Sequence, residues 1–230
     1  LLLGAICYGA SQVRVLVTGR EAGAYIAALK EQMSFAAAIL AGLGYAGEHF
    51  GVVESGRLEQ ELWDLAPAAS VARPATFNLS TEKRTSLDFS LEFLLKESAR
   101  KIQEIPLPAG APFGALTVNK ETCTLCKACI GACPEAALLD APEAPQLRFI
   151  ERNCVQCGLC AKTCPEDAIR LVPRLLFGAQ AKEAVVLNEA EPFNCIRCNK
   201  PFGTKRMVEN MAGRLGAHSM FATGGALQRL

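Results

Sequence analysis

Eight of the chain's 11 cysteines fall into two matching runs. Cys123, Cys126, Cys129 and Cys133 are separated by two, two and three residues and followed by Pro134; Cys154, Cys157, Cys160 and Cys164, followed by Pro165, repeat the pattern 31 positions later (123 to 154). Thiolates are soft metal ligands. Steps of this size let one tight loop wrap three corners of a cubane iron–sulfur core, while its backbone N–H groups point at the sulfides and offset their negative charge. The fourth cysteine, set off by three residues, does not reach the same cubane and serves the other one. The expected ligand sets are therefore Cys123, Cys126, Cys129 and Cys164 for one [4Fe–4S] cluster, and Cys154, Cys157, Cys160 and Cys133 for a second. Zinc also takes four thiolates, but its knuckles are built from pairs of cysteines rather than runs of four ending in proline.

Cys195-Ile-Arg-Cys198 is a third metal-type group. A two-residue gap lets both thiolates bind one tetrahedral ion, yet two ligands leave a zinc site incomplete. His218 is a candidate third ligand, with the packed or solvated histidine as its plain alternative. Cys7 stands alone and reads as a buried hydrophobe. His49 and His218 are the only histidines, and neither has a catalytic partner nearby in sequence, so an independent active site is not expected.

The elements that hold these loops follow from the residue pattern. Val13–Gly19 is a β-branched run closed by glycine, hence a buried strand. A helix is expected from Glu21 to about Leu43, a strand at Phe50–Val53, and a helix from Leu58 to Leu65 that Pro67 ends. Residues 67–80 read as a connector. A further amphipathic helix is expected over about Glu82–Ile102, with Thr81 as its cap, before the proline-rich stretch 105–112. Short strands at Ala115–Val118 and Leu147–Ile150 precede the two cysteine runs, and others at Ala137–Leu139 and Ala168–Val172 follow them. The expected class is α+β overall. Residues 1–66 form a small, parallel-stranded, Rossmann-like α/β segment; 67–113 a linker with a helix; 114–176 the two-cluster domain; and 177–230 a segment with the cysteine pair and a helix.

Composition narrows the function classes. The chain has 230 residues, 50% hydrophobic and 20% charged, with a formal net charge of +1. It should bury a proper core, and its charge gives no argument for nucleic acid. Cysteines this closely bunched favour metal ligation in a reducing cytoplasm over disulfides. No segment reaches the uncharged length of about 18 residues expected of a membrane span; Met33–Gly47 is the longest candidate. The helix-like start at Leu1 and the tail-less end at Leu230 read as a piece of a longer chain.

Residues 114–175 resemble the bacterial two-cluster ferredoxin domain, a pseudo-twofold βαβ repeat, with all eight ligand positions matched. That Cys126 and Cys157 are present implies two four-iron clusters rather than a three-iron variant. Lys127 and Lys162, inside the runs, are either tuning charges or solvated side chains. The stretch from Phe193 to Phe221 resembles the C-terminal region of cytosolic 4Fe–4S binding proteins found with formate dehydrogenases and related molybdenum enzymes, where a later cysteine pair completes a zinc-ribbon-like site. The resemblance implies redox partners of that kind, and zinc at Cys195 and Cys198 if the chain continues. The α/β segment is distantly similar to the small delta subunit of methyl-viologen-reducing hydrogenases. Its Thr18–Ala24 turn lacks the G-x-G-x-x-G pattern, so a docking role is the default and a phosphate site the alternative. The expected function is electron transfer through two [4Fe–4S] clusters within a larger assembly. The alternatives are a binding or regulatory protein that uses the clusters as staples or redox sensors, and a reductase subunit with a nucleotide or flavin on the α/β segment.

Overall fold

The structure, a computed structural model, describes residues 1–142 and 144–216. The chain divides into two compact units, residues 1–111 with 174–178, and residues 112–173 with the segment from 179 onward. Helices and strands are mixed in both.

In the first unit a short helix, α1 (Leu2–Cys7), leads into strand β1 (Val13–Val17). Alternate β-branched valines favour the extended backbone, and Gly19, at φ 81°, turns the chain away two residues after the strand ends. Helix α2 (Gly23–Leu43) buries Met33, Ala36, Leu40 and Leu43, which recur at helical spacing. Gly44 closes it in the left-handed conformation, at φ 94°. Strand β2 (Phe50–Glu54) then lies parallel to β1, from Val13 opposite Phe50 to Val17 opposite Glu54.

By length and composition alone, α2 is long and apolar enough to cross a membrane, the one such helix among the described residues. It holds no uncharged run of about 18 residues. Lys30 and Glu31 lie inside the helix but do not outweigh the apolar residues on either side of them. The Thr18–Ala24 turn is also informative. The Glu21 carboxylate accepts from the Thr18 N–H at 2.9 Å and from its hydroxyl at 3.0 Å. These backbone and hydroxyl bonds hold that carboxyl below the usual carboxylate range. A carboxylate of the chain itself thus takes the Thr18 donors that a phosphate would need.

Helix α3 (Leu58–Trp63) stops short of the expected Leu65, and α4 (Lys83–Glu97) packs against α1. Thr81 does not cap α4. Ser80 does the local bonding instead, accepting from the Glu82 N–H at 3.1 Å and, through its carbonyl, from the Ser86 hydroxyl at 2.8 Å. The helix ends at Glu97 rather than near Ile102 because Ser98 turns extended, its buried hydroxyl donating to Leu43 O at 2.5 Å. The proline-rich stretch opens with a strand, β3 (Glu104–Pro106), that pairs antiparallel with residues 174–176. Gly42 permits the close approach of α2 to β3, since a Cβ there would stand 2.7 Å from the Ile105 side chain. Most of the segment read as a linker, residues 67–111, belongs to this first unit.

The second unit carries strand β4 (Gly114–Val118), helix α5 (Ala128–Gly131), strands β5 (Leu138–Asp140) and β6 (Gln146–Phe149), helix α6 (Leu159–Thr163) and residues 169–173 of strand β7 (Ile169–Leu176), whose last three residues are those paired with β3 in the first unit. β4 pairs antiparallel with residues 169–173 of β7, and β5 with β6. Pro173, which has no N–H to donate, sits where the pairing with β4 ends. Strand β8 (Val185–Glu189) adds to the other edge of β6. The core joins Leu116, Leu138, Leu147, Phe149 and Ile169 to Cys129, Cys154 and Cys160. Beyond it, β9 (Pro192–Asn194) and β10 (Pro201–Thr204) form an antiparallel hairpin, with Phe193 and Phe202 packed edge to face at 5.6 Å, followed by helix α7 (Lys205–Gly216).

Candidate metal centre

The two cysteine loops share an uncommon backbone. Leu125 and Lys127 in the first have φ 57° and 63°; Gln156 and Gly158, each 31 positions on, have φ 53° and 76°. Ala136 and Asp167, behind the fourth cysteines, repeat the register at φ 49° and 47°. Left-handed residues at every second position curl the chain so that N–H groups face one concavity. Sulfur receives some of these donors directly. The Ala137 N–H donates to Cys133 Sγ and the Ala168 N–H to Cys164 Sγ, both at 3.3 Å. The Gln156 N–H donates to Cys154 Sγ at 3.4 Å.

Two cavities lie against these loops. One is lined by Cys123, Cys126, Cys129 and Cys164, with Leu147 and Ile169 as apolar wall. The other is lined by Cys154, Cys157, Cys160 and Cys133, with Leu116, Leu138 and Leu171. Each cavity thus draws three thiols from one run and the fourth from the other. Cys133 lies close enough to Cys154 and Cys160 to act on both through its charge.

The donor set fits an iron–sulfur cubane. Four thiols converge on each concavity, and backbone N–H groups already address sulfur. A single ion fits less well, because among the described residues no three of His, Cys, Asp and Glu gather closely enough to share one. A cubane ties each thiolate to a different iron and holds the four farther apart. Burial pushes the Cys129 thiol up to about 12, with Cys123, Cys126 and Cys160 adding repulsion. Burial also raises Cys154 and Cys160. Burial thus disfavours the thiolate form, and a positive metal centre bound there would have to displace the protons. Cys126 and Cys157 are exposed, and Cys129 and Cys160 are buried on the packed helices α5 and α6.

The lysines of the runs differ in setting. Lys127 Nζ lies 2.5 Å from Asp140 Oδ1, and this contact is the main cause holding the Asp140 carboxyl below its usual range. The Lys127 charge is therefore shared with a carboxylate. Lys162 is exposed.

Cys195 and Cys198 sit in the turn of the β9–β10 hairpin. The turn is closed by the Cys195 N–H donating to Lys200 O at 2.9 Å and the Asn199 N–H to Cys195 O at 2.8 Å. Backbone donors from Arg197 and Cys198 hold the Cys195 thiol below its usual range. Among the described residues the pair acquires no third ligand. His218, like the Ser219–Phe221 part of the C-terminal motif and Glu143, lies outside the described residues.

A set of anchors was not anticipated from sequence. Buried Thr204 donates its hydroxyl to Thr124 O, in the first cysteine loop, at 3.1 Å, and accepts from the Met207 N–H at 3.2 Å. Arg206 donates to Lys120 O, and to Glu121 O at 2.6 Å. Arg214 pairs at 2.7 Å with Glu166, which lines the same cavity as Cys164. No motif marks these residues, because their partners are backbone carbonyls and a carboxylate far away in sequence.

No curated protein matches the chain. Residues 115–165, which hold all eight cavity cysteines, match the family described as the 4Fe-4S dicluster domain. This part of the chain is a 4Fe–4S ferredoxin-type domain, and its chemistry is iron–sulfur electron transfer.

Proposed function

We propose that the second unit carries two [4Fe–4S] clusters, one per cavity, and passes single electrons between a redox enzyme and an acceptor. The observation that carries this reading is the sorting of eight thiols into two cavities of four, each drawing on both runs. Bound there, a [4Fe–4S] cluster supplies a one-electron couple. The chain's own residues then do the rest. Cys123, Cys126, Cys129 and Cys164 hold one group, and Cys154, Cys157, Cys160 and Cys133 the other. The N–H groups of Ala137 and Ala168 offset the negative charge on Cys133 and Cys164. Leu116, Leu138, Leu147 and Ile169 exclude water from the inner walls, which limits the reorganisation that each added charge requires. Exposed Cys126 and Cys157 give an external partner its nearest approach, while buried Cys129, near enough to Cys160 to feel its charge, and Cys160 supply the inner path between the sites.

Partners of the formate dehydrogenase or related molybdenum enzyme class, in the cytoplasm, are the ones to test first, on the resemblance of the C-terminal segment. The test is anaerobic purification with iron, sulfide and zinc counted per chain. About eight irons, about eight sulfides and interacting spins on reduction are expected. Colourless protein from oxygen-free preparation would end the reading. The zinc count in the same sample tests the Cys195–Cys198 pair.

A further inference from the structure

The repeat is broken at one position inside its most regular part. Two residues after the first cysteine of each run, the chain is left-handed in both copies and lines the cavity in both. In the first copy that residue is Leu125, buried and without a polar atom on its side chain. In the second it is Gln156, whose Nε2 donates to Cys154 Sγ at 3.4 Å and to Ala115 O at 3.1 Å.

We propose that Gln156 ranks the two sites. Its amide gives the Cys154, Cys157, Cys160 and Cys133 site the higher reduction potential, so that an electron entering the domain comes to rest there. This rests on the reading that each cavity holds a [4Fe–4S] cluster. Reduction adds one negative charge to a thiolate and sulfide set that is already negative. A donor aimed at a ligand sulfur stabilises the reduced state more than the oxidised one, and so raises the potential. The Ala137 and Ala168 donors are common to both sites and cancel in the comparison. The Gln156 amide has no counterpart at Leu125.

Its orientation is fixed by its surroundings. Ala115 O takes the second Nε2 contact, while Oε1 is buried with no partner. Turning the amide over would put Oε1 against both an acceptor carbonyl and a sulfur. Room for the amide comes from Gly114, where a Cβ would stand 2.7 Å from Gln156 Cδ. Three cations near the first site are each matched by a carboxylate, whereas Arg206 meets backbone carbonyls at the outer end of that loop. Lys127 is paired with Asp140 at 2.5 Å, Arg170 with Asp167 at 2.7 Å, and Arg214 with Glu166 at 2.7 Å. The transfer itself oxidises the first site by one electron and reduces the second by one; no bond forms or breaks and no proton moves.

The experiment is an anaerobic dithionite titration of the full chain, followed by EPR, with iron counted in every sample. The wild type should show two one-electron steps. Q156L, which copies the first site's own residue, should lower the upper step by about tenfold in its equilibrium constant, about 59 mV, and leave the lower step in place. L125Q should raise the lower step and leave the upper. If Q156L loses iron, Q156M, which keeps the chain length without the donor, decides by the same shift. An upper step unmoved in a Gln156 variant that retains about eight irons, or movement of the lower step instead, overturns the role of Gln156 alone. A wild type with iron far short of eight overturns the two-cluster reading along with it.

Discussion

The grouping of the thiols can be read from iron counts in paired variants. Cys164 lines the cavity of the first run and Cys133 that of the second. Each cavity then stands or falls as one set, whichever of its four ligands is removed. Cys123→Ala alone should take the chain from about eight irons to about four. Adding Cys164→Ala disables the same cavity a second time, so the double variant should still hold about four. Adding Cys133→Ala instead disables the other cavity and should leave almost none. The two double variants remove the same number of thiols and differ only in which fourth cysteine is lost, so intrinsic thiol affinity cancels between them. Iron and acid-labile sulfide are measured on anaerobically purified protein, with far-UV circular dichroism as the check that both variants fold alike. The reverse outcome, in which C123A/C133A keeps about four irons and C123A/C164A loses all, would mean that each fourth cysteine stays with its own loop. The geometric argument would then be refuted.

Thr204→Val keeps the side-chain shape but removes the donor to Thr124 O and the acceptor for Met207 N–H; it should cost about 2 kcal/mol and speed amide hydrogen exchange over residues 201–216. Gly114→Ala would set a Cβ 2.3 Å from Val172 O, a backbone atom that cannot yield without opening the β4–β7 pair. A loss of about 1–3 kcal/mol or more is expected in denaturant unfolding, together with a lowered upper potential as Gln156 is pushed aside. Cys7 is raised from 9.0 to about 11 by burial. The folded chain therefore keeps a proton that the unfolded chain loses, and the associated stability is full below pH 9.0 and disappears as pH rises to about 11. Cys7→Ala should flatten that alkaline decline in a series of thermal melts, and an unchanged slope would count against the burial account.

The cysteine loops were legible because ligand spacing is a local property. A run of four cysteines closed by proline leaves few ways to curl, and the 31-residue register carries over to the φ values of Leu125 and Gln156. Strand positions around the loops were also close, β4 and β6 each falling within a residue of expectation. Helix ends were less legible. The α4 boundary depends on Ser98 reaching Leu43 O, a tertiary bond across 55 positions, which no local pattern encodes. The same holds for Thr204, Arg206 and Arg214, whose partners lie far off in sequence. The apolar character of α2 does not show as one uncharged run, since Lys30 and Glu31 interrupt it without making the helix polar on average. Gln156 was visible all along. Aligning the two runs residue against residue exposes it, but its meaning needed the amide's direction.

The shared ownership of each cavity sets a timetable for synthesis. When Cys129 leaves the ribosome, the first loop has three thiols and no means of completing its set until Cys164 is made, 35 residues later (129 to 164). At about 5–20 residues per second this is a delay of about 2–7 seconds. During it the nascent chain displays unshielded cysteines and a half-built hydrophobic core. A ribosome stalled between Cys129 and Cys160 would yield a product with neither set of four thiols complete.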